Sequence, residues 1–201
     1  MKKMKILNTI LFLNLFTFAT FASTGGRTVG NGGDVLKCEV NGASIYTILD
    51  WYEGIEIRNL NLNLGENHLG FDEKLQIAIK RLQRVSPKRA ARFQLSLESF
   101  FNETKWLTSG TLIDIPDSDH ILLPNNCQIL QIANQSTPVL STDKRYVIDL
   151  KLWQNLSDDQ KVALVLHEII YKEALEDGHQ NSISTRILNS LILSKELELM
   201  S

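Results

Sequence analysis

Positive charge, cysteine and long apolar runs are all scarce in this sequence, and each scarcity excludes something. The 21 Lys and Arg are outnumbered by 23 Asp and Glu, a formal net charge of -2. Residues 1 to 22 hold Lys2, Lys3 and Lys5 and no acid, so removing them would move the charge from -2 to -5. No nucleic-acid partner is expected of such a chain. The mostly apolar run from Ile6 to Phe18 is interrupted by Asn8, Thr9, Asn14 and Thr17. It is short of the roughly 20 apolar residues a spanning helix needs. With the basic start Met1-Lys-Lys-Met-Lys5 before it and Thr20-Phe-Ala22 after it, it reads as a secretory signal peptide rather than an uncleaved anchor. No cysteine follows the run, so a lipid anchor is not indicated, and no membrane span is expected after signal cleavage. Cys38 and Cys127 are the only cysteines. In an exported protein an even pair points to one disulfide, the alternative being two free buried thiols.

Repeats and low-complexity blocks are also missing, and 201 residues with 43% hydrophobic composition suit a single domain with a real core. The expected organisation is a signal peptide over 1 to 22, a mobile glycine-rich lead-in over 23 to 33, and one α+β domain over 34 to 201. The glycine pattern at Gly30 to Gly33 lacks the preceding strand and following helix that phosphate cradling requires, so a dinucleotide site is excluded.

Two β-prone runs, Asp34 to Val40 and Ser44 to Asp50, flank Asn41-Gly42 and predict a hairpin. The segment from Ile55 to Leu69 predicts a loop. Leu75, Ile79 and Leu82 share a helical face behind Asp72 as cap, and Ser86-Pro87 starts a second helix carrying Ala90, Phe93, Leu97, Phe100 and Phe101 inward. Its basic turn of Lys88, Arg89 and Arg92 reads as a solvated face. Short strands are expected at Thr111 to Ile115, Ile121 to Leu123, Gln128 to Ala133 and Tyr146 to Leu150. Ser157-Asp-Asp-Gln160 has the form of a capping box for a helix from Asp158 to the Gly178 stop. Ser182 then caps a last helix with Ile183, Ile187, Leu188, Leu191 and Ile192 on its buried side. The fold class is therefore α+β: an N-terminal β-hairpin, two helices, several short, mostly antiparallel strands and a C-terminal helical hairpin.

The chemistry-bearing feature is Val162-Ala-Leu-Val-Leu-His-Glu-Ile-Ile-Tyr171, a helix whose greasy run is broken by His167 and Glu168. At 100° per residue, His167 shares the inner face with Ala163, Ile170, Tyr171 and Ala174, and Glu168 falls at its edge. A buried imidazole needs a partner for each ring nitrogen. One reading treats it as a core histidine bonded to a strand carbonyl, with Glu168 paired to a surface base. Elsewhere, His68 and His120 sit in loops without ligand spacing, and no serine lies in a nucleophile elbow. Asp114, Asp117, Asp119 and His120 read as a polar turn before a cation site.

The helix, with the strand and Asn155-Leu-Ser157 that precede it, resembles the active helix of the zincin metallopeptidases, which carry His-Glu-x-x-His. The resemblance implies His167 as a zinc ligand and Glu168 as the catalytic general base, with Tyr171 in place of the second histidine and His179 as a further ligand swinging back after Gly178. Zinc is the cofactor that this reading requires. The layout also resembles uncharacterised exported proteins of predatory and related bacteria, which run from Gly-Asn-Gly-Gly-Asp through His-Glu-x-x-Tyr to Gly-His-x-Asn-Ser, here Gly30 to Asp34, His167 to Tyr171 and Gly178 to Ser182. The expectation is an exported, periplasmic or extracellular, binding or structural protein with a protein or peptide partner. The alternative is a zinc metallohydrolase with a variant site.

Overall fold

The computed structural model describes residues 29–113, 115 and 121–200. The signal peptide expected over residues 1 to 22 therefore lies outside the described residues, as do Asp114, Asp117, Asp119 and His120.

Strand β1 spans Val29–Asn31, β2 Asp34–Val40 and β3 Ala43–Ile48. The β2–β3 hairpin turns at Asn41 and Gly42, both with positive φ (52° and 80°), the geometry for which Asn-Gly is suited. Helix α1, Leu49–Glu56, occupies positions expected to finish the strand and start a loop. Helices α2, Phe71–Val85, and α3, Pro87–Phe100, follow with Pro87 in the first turn of α3. The cap of α2 is Gly70, whose N–H donates to Glu73 at 3.0 Å, so Asp72 lies inside the first turn rather than at its boundary.

Strand β4 spans Thr104–Leu107, β5 Cys127–Gln131, β6 Ala133–Ser136 and β7 Tyr146–Asp149. The described residues of the two expected strands at 111–115 and 121–123 form no strand. A short helix α4, Leu150–Gln154, leads to α5, Asp158–Glu176, and α6, Ile183–Leu193. The α5 cap is Ser157, whose hydroxyl accepts from the Gln160 N–H at 3.4 Å. The reciprocal half of the box is absent, because the Gln160 side chain instead accepts from the Ile48 N–H at 2.6 Å.

Four strands form one sheet in the order β1-β6-β7-β4 and three form another in the order β3-β2-β5. All pairings are antiparallel except β4 with β7. Two chain segments pass between the sheets side by side: β1 to β2 through Gly32-Gly33, and β5 to β6 through Ile132. At this crossing the Gly33 carbonyl accepts from both Ile132 and Ala133 N–H at 3.1 Å. The lead-in expected to be mobile is thus a paired strand from Val29 onward, and Gly32 and Gly33 are buried. Their lack of side chains is what lets the segments cross, since a Cβ on Gly32 would lie 2.2 Å from the Ala133 oxygen.

Helix α5 runs through the middle, touching α1, α2, α3, α6, β3 and β6, and every residue from Val162 to Tyr171 is buried. A helix that is greasy all round needs neighbours all round. Each fully buried Val, Leu or Ile there contributes on the order of 1.5–3 kcal/mol by removal from water. Helix α6 departs from expectation. Ile183 and Ile187 are 37% and 47% exposed, while Thr185, Arg186, Asn189 and Ser190 are buried.

Candidate functional site

Glu168 leaves α5 towards the crossing of the two sheets. Its Oε1 accepts from the Gly33 N–H at 2.6 Å, and its Oε2 accepts from the Gln135 amide of β6 at 3.0 Å. The same amide nitrogen also donates to the Glu168 carbonyl at 3.0 Å. The carboxylate therefore fastens the β1–β2 corner and the middle of the four-stranded sheet to the central helix. No surface base is involved, contrary to the expectation for this residue.

His167, one position earlier, points into the gap between α1 and α6. Its Nδ1 lies 2.9 Å from Oδ2 and 3.0 Å from Oδ1 of Asp50, near the start of α1. Asn189 of α6 donates to Asp50 Oδ2 at 2.6 Å and to the Ala163 carbonyl at 2.8 Å. The partner of the histidine is thus a carboxylate, not a strand carbonyl. Its other nitrogen, Nε2, has no hydrogen-bond partner among the described residues. One turn along α1, Glu53 accepts from Arg186 Nε at 3.0 Å and from Arg58 at 2.7 Å. Arg186 also donates to the Ser182 hydroxyl at 2.6 Å. That contact explains why Ser182, though at the α6 boundary, does not cap the helix through its side chain.

Charge balance orders the protonation of this interior. Asp50 and Glu53 each have a cationic partner within hydrogen-bond reach, in His167 and in Arg186 with Arg58. Glu168 has only neutral donors in direct contact. Burial therefore dominates its titration and pushes its pKa up to about 7, against the lowering effects of the His167 charge and the Gly33 and Gln135 bonds. For His167 burial pulls the pKa down, but the charge and hydrogen bond of Asp50 outweigh it and hold the imidazole at about 9. Burial would raise Asp50, yet His167, Asn189 and Arg186 together keep it below the usual carboxylate value. Both shifts favour the imidazolium–carboxylate form of the pair.

Tyr171 is fully buried, with its ring centroid 6.0 Å from that of His167. His179 is not brought to them in this way: it is exposed beyond the end of α5, its Nδ1 3.0 Å from the Ser184 hydroxyl. Among the described residues no three His, Cys, Asp or Glu side chains gather as a metal-binding group. Of the donor set implied by the zincin resemblance, Glu168 is turned to Gly33 and His179 is at the surface, so His179 does not gather with His167 and Tyr171.

Asp50, Glu53, Gln135, Arg186 and Asn189 complete the polar interior, and sequence reasoning passed over all of them. One signal existed: Ser182, Thr185, Arg186, Asn189 and Ser190 recur at helical spacing, a polar stripe as regular as the apolar one beside it.

The two cysteines form the Cys38–Cys127 disulfide, joining directly opposed residues of β2 and β5. No helix among the described residues is long and apolar enough to cross a membrane. No protein-family model, curated protein or solved structure matches the chain.

Proposed function

We propose that this is an exported, non-catalytic binding or structural protein in which the His-Glu helix is the polar lock of the core. The observation that carries the reading is the orientation of Glu168. A general base must face the substrate side of a metal, whereas both oxygens here accept hydrogen bonds from the fold's own Gly33 and Gln135 in a fully buried setting. The disulfide and the signal-like start support export to an oxidising compartment.

A zinc metallohydrolase is the second reading, favoured by one feature: the His167 Nε2 without a partner, with Tyr171 nearby. Metal analysis separates the two. The structural reading expects purified mature protein to hold no zinc after incubation with the ion at neutral pH, and Glu168→Gln to stay folded. Near-stoichiometric zinc bound through His167, with turnover lost in a folded Glu168→Gln variant, would overturn it.

A further inference from the structure

Away from the His167 helix, a cleft of about 480 Å³ opens between the tip of the three-stranded sheet and the β4 end of the other sheet. One wall follows from the strand register. Val35 opposes Ile48 and Leu130 in the core, and two residues on Lys37 opposes Tyr46 and Gln128. The period of two therefore carries the face that is buried at one end out to the cleft at the other. The facing wall is Leu107 with the segment 108–112, continued by Asp149, Lys151 and Leu152. Gly110, at φ +84° and with open space around it, turns that segment.

The lining has two chemistries. Leu107, Leu112, Leu130, Leu152 and the Tyr46 ring make an apolar trough, and Lys37 and Lys151 line the same cleft. Lys151 is exposed and has no acidic partner among the described residues, while Lys37 holds Glu39 at 2.9 Å. The single carboxylate in the lining, Asp149, already accepts from the Leu152 N–H at 2.9 Å. The volume falls in the range of small-molecule sites, which pair an apolar body with a few placed polar groups.

We propose that this cleft binds a small amphiphile with one anionic head, the head on Lys151 and the apolar body against Tyr46 and the four leucines. Lys37 is offset by Glu39 and Asp149 keeps its charge beside its Leu152 bond, so selection of an anion rests on Lys151, the ammonium of the lining without an acidic partner among the described residues. The trough selects a hydrocarbon or aromatic body over a bare phosphate. The site is independent of whether the His167 helix binds metal.

The test is a set of amide-resolved NMR titrations of the mature, oxidised protein with octanoate, octan-1-ol and octylamine. Octanoate is expected to saturate shifts at residues 37, 46, 107–112, 128–131 and 151–152, and to bind at least tenfold tighter than the alcohol or the amine. Lys151→Glu should weaken octanoate binding about tenfold or more, Lys37→Gln less, and the distant Lys88→Glu not at all. Raised salt should weaken it as well. Equal binding of the three probes, saturation elsewhere or not at all, or unchanged affinity in a folded Lys151→Glu variant would overturn the proposal.

Discussion

At the scale of single residues, the interior is governed by which acid has a cation. Asp50→Asn should be the most damaging of the conservative changes. It leaves His167 without a counter-charge and sets a new side-chain amide against the Asn189 donor. Breaking a buried pair from one side typically costs about 3–5 kcal/mol, measurable by urea unfolding, and the imidazole pKa should fall from about 9 to below its ordinary value. His167→Ala breaks the same pair from the other side, leaving the buried Asp50 carboxylate without its cation, and should also cost about 3–5 kcal/mol. Titration adds a signature in pH. Glu168, raised from 4.5 to about 7 when folded, opposes folding increasingly as pH climbs between those values. His167, raised from 6.5 to about 9, contributes stability that is complete below 6.5 and is lost as pH rises through 9. Asp50, lowered from 3.8, contributes above that value and loses its contribution as pH falls further. Thermal stability should therefore peak in mild acid and decline towards pH 9. Glu168→Gln should abolish the part of that decline between 4.5 and 7. A calorimetric profile of the variant that still falls over that window would show that Glu168 is not its source.

At the scale of elements, the close approach at the sheet crossing and the inward face of α6 make separate predictions. A methyl on Gly32 meets backbone at 2.2 Å, whereas one on Gly33 meets the Leu164 side chain at 2.3 Å and Glu168 Oε1 at 3.3 Å. Side chains give way more readily than a strand. Both alanine variants should be destabilised, Gly32→Ala more than Gly33→Ala, the first by about 3 kcal/mol or more if overpacking sets the scale. Equal loss in denaturant titrations would mean that the Glu168 bond to Gly33, not the crossing, sets the cost. In α6, Asn189→Leu makes the helix more apolar yet should cost about 2–4 kcal/mol, because it strips donors from Asp50 and the Ala163 carbonyl. The apolar stripe of α6 was legible in the sequence. Its direction was not, since α1 had read as the end of a strand and a loop. Once α1 is a helix, Asp50 and Glu53 sit one turn apart on a face that only a polar partner can satisfy, and α6 turns its Arg186 and Asn189 towards them.

At the scale of the whole molecule, the disulfide closes a sequence separation of 89 residues. On the chain-entropy model it stabilises the fold by about 4–5 kcal/mol. Reduction should lower the unfolding midpoint accordingly, and non-reducing peptide mapping should recover Cys38 linked to Cys127. Much of this architecture could be read locally. The Asn41-Gly42 turn, the Pro87 start of α3, the Ser157 cap and the Gly178 stop each depend on residues within a few positions of one another, and the α+β class follows from them. The burial of α5 was equally legible, because an all-round apolar run has no other stable home. What only the tertiary structure decided is where the polar residues go. Glu168 meets Gly33 across 135 positions, His167 meets Asp50 across 117, and Asn189 meets Asp50 across 139. No local pattern encodes such partners, since a carboxylate looks the same in sequence whether it faces water, a metal or a backbone N–H. The choice among them is made by which helices and strands are brought together and how much water their packing leaves behind.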